Sequence, residues 1–210
     1  MRISCLHINP AEIPLYEQAA PAHVSLAHYV RADLGYRARG GLTPGLLAEV
    51  QVYLRRIAAG SDAALLTGSA LTRAALAPSR AADQLLAEDL CRRLIQTPGA
   101  TADVMFTDMT THAAIHQTFL ETCDPARLTF MALPEAEPCL ARADTRGHNA
   151  LVHEAIAAST ADLIALVQPA MAQASGRPDT RILTPQTSVF ARLAEVRDTS
   201  QSASIMAVGA

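Results

Sequence analysis

Short apolar segments that alternate with helical segments predict an α/β protein with parallel sheets. The apolar segments are rich in branched residues and end at turn-forming or polar residues, while the longer segments between them have helical periodicity. Strands separated by helices pair in parallel, with helices on both faces of the sheet. The second half of the chain repeats the scheme of the first, which indicates two lobes with a cleft between them.

Two of the predicted strands form a matched pair. Six positions separate Asp62 from Gly68, and six separate Asp162 from Gln168. Both segments begin with aspartate, continue through apolar residues and stop at small or polar ones. A buried parallel strand delivers groups to a cleft at its C-terminal end in this way. We therefore predict that the two strands occupy equivalent places. The full set of predicted strands is 2–8, 24–30, 63–67, 102–107, 128–133, 162–168 and 182–185.

Helix signals fill the intervals between the strands. Thr43 is a predicted N-cap, with Pro44 in the first helical position. Leucines at helical spacing predict an amphipathic helix over 81–96, and a long helical region is predicted over 138–158. Residues 37–41 are predicted to form a loop. The remaining predicted helices are 13–20, 111–122, 172–176 and 188–196.

Composition limits the classes of function. The chain has 210 residues, half of them hydrophobic, which is enough for a sizeable core. Its net charge is −3 and it has no tryptophan, so nucleic-acid binding through a basic stripe or stacked bases is disfavoured. No apolar stretch approaches the roughly 20 residues of a membrane span, and the start lacks the apolar run of a signal peptide. We expect a cytoplasmic protein without membrane partners.

The four cysteines are expected to be reduced thiols rather than a disulfide framework. They are widely spread, without a Cys-x-x-Cys pair. Cys5 lies in the first predicted strand and is interpreted as a buried strand thiol. The other three are Cys91, Cys123 and Cys139.

The ends of the matched strands supply candidate ligand-binding groups. Thr67, Gly68 and Ser69 could form an anion pocket from backbone N–H groups and two hydroxyls, and an ordinary tight turn is the alternative. Thr107 could supply a further hydroxyl, and Gln168 ends the second strand of the pair. Thr110 and Thr111 are interpreted mainly as helix caps.

Candidate proton-transfer groups follow the first strand of each half. His7 and Asn9 end the first strand on the cleft side. Asn9 is a candidate substrate-binding residue, and His7 could act as acid or base or be a structural histidine. Asp108 could be a base in the cleft or a solvated turn residue. Ser69 with His7 could form a nucleophile pair, but no Gly-x-Ser-x-Gly elbow is present. His112 and His116 lie one helical turn apart without a third ligand, so we expect no metal and no cofactor.

Six motifs follow one another along the chain: the strand 2–10, Gly41–Pro44, Leu65–Ser69, Asp144–His148, Ala165–Met171 and Ile182–Gln186. In this order they resemble the aspartate/glutamate/hydantoin racemase superfamily, including its arylmalonate decarboxylase-like branch. The resemblance implies two flavodoxin-like lobes related by a pseudo-twofold axis, with the ligand between them and homo-oligomerisation left open. The corresponding division is 1–99 plus 182–210 for the first lobe and 100–181 for the second.

Departures from the family pattern matter as much as the matches. Racemases of this family place one cysteine at the end of each site strand, and the resemblance assigns those positions to Gly68 and Gln168. The decarboxylase branch also has glycine at the first position but keeps the second cysteine. A further family strand after the third is expected to be lost, because residues 78–83 form strands poorly.

These observations predict a racemase-like protein that binds a small carboxylate-bearing ligand without two-cysteine chemistry. In a catalyst, His7, Asp108 or Ser69 must then transfer the proton. The alternative is a non-catalytic ligand-binding or scaffold protein on the same fold. An enzyme should place a titratable group opposite Gly68 in the cleft, whereas a binder should present only hydroxyls, amides and backbone donors.

Overall fold

The computed structural model describes residues 1–38, 41–68, 71, 85–176 and 179–194. Strands and helices alternate throughout. The strands are β1 Arg2–His7, β2 Ser25–Val30, β3 Ala63–Leu66, β4 Leu85–Ala87, β5 Ala102–Phe106, β6 Leu128–Ala132, β7 Leu163–Leu166 and β8 Ile182–Leu183. The α-helices are α1 Ile13–Ala19, α2 Ala32–Ala38, α3 Pro44–Ala58, α4 Cys91–Gln96, α5 His112–Thr122, α6 Glu137–Ala141, α7 Thr145–Ala158 and α8, residues 185–194.

The strands form two parallel sheets of the same topology. Their orders are β2-β1-β3-β4 and β6-β5-β7-β8, and helices cover the faces of both. This confirms the predicted α/β class with parallel sheets. No helix in the described part of the chain is both long and apolar enough to cross a membrane.

The matched strands occupy equivalent places, as predicted. Strand β3 lies beside β1, and β7 lies beside β5 in the other sheet. The same backbone hydrogen bond follows each strand: the Leu71 N–H donates to the Gly68 carbonyl, and the Met171 N–H donates to the Gln168 carbonyl, both at 3.0 Å. The two strand ends therefore meet the cleft in the same way.

Each sheet buries apolar side chains on both faces. Helix α3 covers one face of the first sheet with Leu46, Val50 and Leu54. The other face of the first sheet packs against Tyr16 of α1 and against α8. In the second sheet, α4 and α5 cover one face, and α7 with the 3₁₀ turn Pro169–Ser175 covers the other. Helix α8 thus returns to the first sheet after β8 has paired with β7, and the proposed lobe boundary at 182 stays a prediction.

The predicted amphipathic helix over 81–96 is wrong. Residues 85–87 form β4, which pairs with β3, so the strand that was expected to be lost is present. Only Cys91–Gln96 is helical in the described part of this segment, and Ile95 is 53% exposed. Adjacent leucines fit a strand as well as a helix, and the open edge of β3 provides backbone partners that favour the strand.

The predicted long helix over 138–158 is two helices. The break lies at Ala143, whose φ is 58°, and at Asp144, whose Oδ1 accepts a hydrogen bond from the Gly147 N–H at 2.8 Å. A Cβ on Gly147 would come within 2.2 Å of the Asp144 carboxylate, so the glycine leaves room for the cap. The predicted loop also begins later than expected, because α2 includes Arg37.

Candidate functional site

A cleft of about 740 Å³ lies at the C-terminal ends of the strands of both sheets. It opens between the two lobes, and both matched strands reach it. First-lobe residues in its wall include Ile8, Asn9, Glu12 and Gly68, and second-lobe residues include Asp108, Thr110, Thr111, Gln117 and Gln168.

The two halves of the cleft are built alike. After β1, Asn9 caps the 3₁₀ turn Pro10–Glu12, and its Oδ1 accepts from the Ala11 N–H at 3.1 Å. After β5, Asp108 caps the turn Met109–Thr111 and accepts from the Thr110 N–H at 2.8 Å and from the Thr110 hydroxyl at 2.6 Å. Asp108 is thus the cap that was expected from Thr110 or Thr111. Both Asn9 and Asp108 line the cleft as predicted, with one oxygen engaged.

Gly68 lies in the cleft wall in a conformation that suits glycine alone. Its φ is 101°, and a Cβ at this position would lie 2.4 Å from Ile8 Cδ1. Its backbone opposes the rise in the pKa of the buried Glu88 carboxyl. The anion pocket of Thr67, Gly68 and Ser69 stays a prediction. Ser69, the other hydroxyl of that pocket, lies outside the described residues.

Gln168 and Thr107 hold the end of the second site strand. The Thr107 N–H donates to Gln168 Oε1 at 3.0 Å, and Gln168 Nε2 donates to the Thr111 hydroxyl at 3.4 Å. Thr107 is buried and is not among the residues that line the cleft, whereas Gln168 is. The structure therefore does not place the Thr107 side chain in the described wall of the cleft, and its binding role stays a prediction.

Glu12 is a cleft residue that the sequence patterns did not identify. It ends the 3₁₀ turn Pro10–Glu12, and its Oε2 accepts from the Thr67 hydroxyl at 2.9 Å. Burial raises the pKa of Glu12 to about 7, against the opposing effect of the Thr67 hydrogen bond. A carboxyl with a pKa near neutrality in a cleft can both give and take a proton at physiological pH.

His7 lies behind the cleft wall instead of in it. It is fully buried, and its Nδ1 is 3.1 Å from the Thr67 hydroxyl. Its Nε2 is 2.8 Å from His28 Nδ1, and His28 Nε2 is 2.6 Å from Glu17 Oε1. Burial, followed by the proximity of His28, lowers the pKa of His7 to about 4. The structure thus does not bring His7 to the cleft as an acid or base, and Thr67 connects it to Glu12.

Glu88 is a second buried carboxyl close to Glu12. The Tyr16 hydroxyl donates to Glu88 Oε1. Burial and then the charge of Glu12 raise the pKa of Glu88 to about 8, against the opposing effects of the Tyr16 hydrogen bond and of the Gly68 backbone. Glu88 therefore favours the protonated state in the folded protein.

The raised pKa of Glu88 predicts a loss of stability as pH rises. The folded protein holds this proton up to about pH 8, whereas an unfolded glutamate releases it near pH 4.5. The lowered pKa of His7 makes stability rise with pH, but only below the ordinary histidine pKa of 6.5. As the pH rises from 6.5 to 8, we expect the melting temperature of the metal-free protein to fall. In Glu88→Gln the slope of melting temperature against pH should be shallower, and an unchanged slope would contradict the raised pKa of Glu88.

None of the four cysteines lines the cleft. Cys5, Cys91 and Cys139 are buried, and Cys123 is partly buried on the second lobe. Burial, followed by the charge of Glu17, raises the pKa of the Cys5 thiol to about 12. The titratable groups in the described wall of the cleft are therefore Tyr36 and the two carboxyls of Glu12 and Asp108.

The predicted histidine pair on α5 packs against aromatic rings. His112 stacks on Phe106 with ring centroids 5.0 Å apart, and His116 lies 4.3 Å from the Phe130 ring. These contacts account for both side chains as packing residues.

Solved structures of similar fold include two racemases and a decarboxylase. Aspartate racemase from Picrophilus torridus aligns with a TM-score of 0.60 at 11% identity, over 93% of this chain and 94% of that one. Allantoin racemase from Klebsiella pneumoniae aligns with a TM-score of 0.58 at 14% identity, over 100% of this chain and 89% of that one. Arylmalonate decarboxylase aligns with a TM-score of 0.56 at 15% identity, over 93% of this chain and 92% of that one.

Sequence comparison adds nothing to this likeness. No protein-family model matches the chain, and no curated protein matches it. The identities to the solved structures are low, so they establish the architecture alone. The chain has the two-lobed α/β fold that aspartate and allantoin racemases share with arylmalonate decarboxylase.

Proposed function

We propose that the protein is a racemase-like enzyme that binds a small carboxylate-bearing substrate in the interlobe cleft and uses Glu12 to protonate its α-carbon. The observation that carries this proposal is the place of Glu12. Its carboxyl lies in the wall of the cleft that Gly68 also lines, has a pKa near 7 and is positioned by the Thr67 hydroxyl at 2.9 Å. A purely structural scaffold has no need of such a group in its cleft.

A single proton donor favours decarboxylation over inversion. Two-base racemisation requires a proton-transfer group on each face of the carbon, and the opposite lobe offers Asp108, already engaged with Thr110. In a decarboxylation, the bond to one carboxylate breaks, carbon dioxide leaves and the electron pair stays on the α-carbon. Glu12 then gives its proton to that carbon, and solvent protonates Glu12 again.

The composition of the cleft supports a substrate of this kind. The side-chain amides of Asn9 and Gln117 offer N–H donors for a carboxylate that remains, because the Thr110 and Thr111 hydroxyls already donate to Asp108. Ile8 and Pro169 supply an apolar part of the wall, where a second carboxylate loses its hydration and is destabilised. Because no lysine or arginine lines the described wall, we propose that the substrate is held by hydrogen bonds instead of ion pairs.

The test is a substrate panel followed by NMR in D₂O. The panel contains 2-substituted malonates, 2-substituted monocarboxylates, aspartate, glutamate and hydantoins. We expect a malonate to lose carbon dioxide and gain one deuteron at the α-carbon, while aspartate, glutamate and hydantoins show background exchange. Binding of panel members by calorimetry without any turnover would favour the non-catalytic alternative and contradict the proposed enzyme.

Independence from thiols is a separate expected result. Because the four cysteines lie away from the cleft, treatment of the native protein with iodoacetamide should leave turnover of the malonate substrate unchanged. Mass spectrometry should report which thiols react, with Cys123 first because it alone is not fully buried. Loss of turnover in step with alkylation of one cysteine would assign that thiol a role that the proposal denies.

A further inference from the structure

Three potential metal ligands converge behind the first-lobe wall of the cleft. Cys5 and His7 lie two positions apart on β1 and thus on the same face of the sheet. His28 lies on β2, directly opposite Cys5 in the parallel register. One ligand atom from each residue lies within 4.8 Å of the other two.

The hydrogen bonds of the two histidines direct one nitrogen of each ring toward the centre of this group. Thr67 holds His7 Nδ1 at 3.1 Å, and the Glu17 carboxylate holds His28 Nε2 at 2.6 Å. The inner nitrogens, His7 Nε2 and His28 Nδ1, face each other at 2.8 Å. Histidines that bind metals generally have their outer nitrogen fixed by a carboxylate or another polar group in this manner.

We propose that Cys5, His7 and His28 form a binding site for Zn²⁺. A thiolate with two imidazoles is a ligand set that zinc prefers, and three protein ligands leave a fourth tetrahedral position for water. The Zn–S bond forms as the Cys5 thiol gives its proton to solvent. The proton between the inner nitrogens moves to the outer nitrogen His7 Nδ1, which leaves His7 Nε2 and His28 Nδ1 free to bind the metal. The Cys5 thiolate and the Glu17 carboxylate together balance the two positive charges of the ion.

The cluster of Cys5, His7 and His28 is buried on one side and reaches solvent on the other, unlike a simple core contact. Cys5 and His7 are fully buried, whereas the His28 side chain is 18% exposed and Glu17 is 52% exposed. The ion therefore has an entry side at Glu17. With zinc bound, the His7 proton would lie on Nδ1, so that the Thr67 hydroxyl accepts from His7 and donates to Glu12. The site is independent of any reaction in the cleft, because its binding is measured without substrate.

The experiment uses the full chain, stripped of metal with EDTA and freed of chelator. Titration with ZnCl₂ in a calorimeter should give one ion per chain, together with a rise in melting temperature. Titration with CoCl₂ should give a thiolate-to-cobalt charge-transfer band and intense visible bands of tetrahedral cobalt. Cys5→Ser should abolish the charge-transfer band, and His28→Gln should weaken zinc binding by more than the roughly 10–100-fold that loss of an outer partner costs.

Matched variants separate this site from adventitious binding. Cys139→Ser removes another buried thiol and His153→Gln another histidine, and both should bind zinc like the wild type. Glu17→Gln should weaken binding by about tenfold, since it removes the outer partner of His28. Circular dichroism checks that each variant is folded, and His28→Gln keeps the test valid if Cys5→Ser does not fold. The proposal is overturned if wild type binds no zinc, or if Cys5→Ser and His28→Gln bind it unchanged.

Discussion

Glu12→Gln should lower the rate of proton transfer to substrate by roughly 10²–10⁴-fold, the usual contribution of a general acid. The amide has nearly the shape of the carboxyl and can still accept the hydrogen bond that Thr67 donates to Glu12 at 2.9 Å. It has no proton to give near neutral pH. Folding should therefore persist while turnover is lost.

The pH profile identifies Glu12 as the acid. Burial raises its pKa to about 7, and the protonated form is the active one, so the rate for wild type should fall as pH rises through 7. In Glu12→Asp the carboxyl remains but is shorter, and a part of the rate should remain. Glu154→Gln, which alters an exposed glutamate on α7, should match wild type. Full turnover of Glu12→Gln would remove Glu12 from the mechanism.

The sequence located the site through features that are local in the chain. The spacing from Asp62 to Gly68 and from Asp162 to Gln168 follows from strand length alone, because a buried strand must end where polar residues reach solvent. Both aspartates also have the same structural task. Asp62 accepts from the Arg2 N–H at 2.8 Å, and Asp162 accepts from the Thr101 N–H at 2.9 Å.

Glu12 could not be identified in this way, because its properties come from distant parts of the chain. Its hydrogen-bond partner Thr67 is 55 positions away, and its raised pKa arises from burial that only the folded lobe creates. A glutamate after Asn9 and Pro10 otherwise fits a solvated turn. One signal was present, since Asn9 and Asp108 both cap a 3₁₀ turn that leads into a helix at the cleft.

His7 shows the opposite limit of sequence reasoning. Its strand and its position near the C-terminal end were predicted correctly, but the face on which it lies was not. Side chains alternate along a strand, so one end residue meets the cleft and its neighbour meets the interior. Ile8 lines the cleft, and His7 is buried against Tyr16 and His28. The hydrophobic pattern does not distinguish these faces in a strand that is buried on both sides.

Gly68→Ala should destabilise the protein by about 2–6 kcal/mol, from backbone strain at positive φ and overpacking, each about 1–3 kcal/mol. The φ of Gly68 is 101°, and the added Cβ would lie 2.4 Å from Ile8 Cδ1 and 2.6 Å from Ile8 Cγ1. Gly68→Cys should cost at least as much, since its Cβ meets the same atoms. A cysteine at this position would therefore not simply restore a thiol to the cleft.

Urea unfolding of Ile8→Ala, of the double variant Ile8→Ala with Gly68→Ala, and of a control separates backbone strain from overpacking. Ile8→Ala with Gly68→Ala removes the colliding atoms, so the pair should be less destabilised than the sum of the single changes, with the cost of the positive φ remaining. Gly45→Ala is the control, because it lies in α3 with nothing within 4 Å of the added Cβ, and it should be neutral or slightly stabilising. If Gly68→Ala unfolds at the wild-type urea concentration, the backbone at the end of β3 does not require glycine.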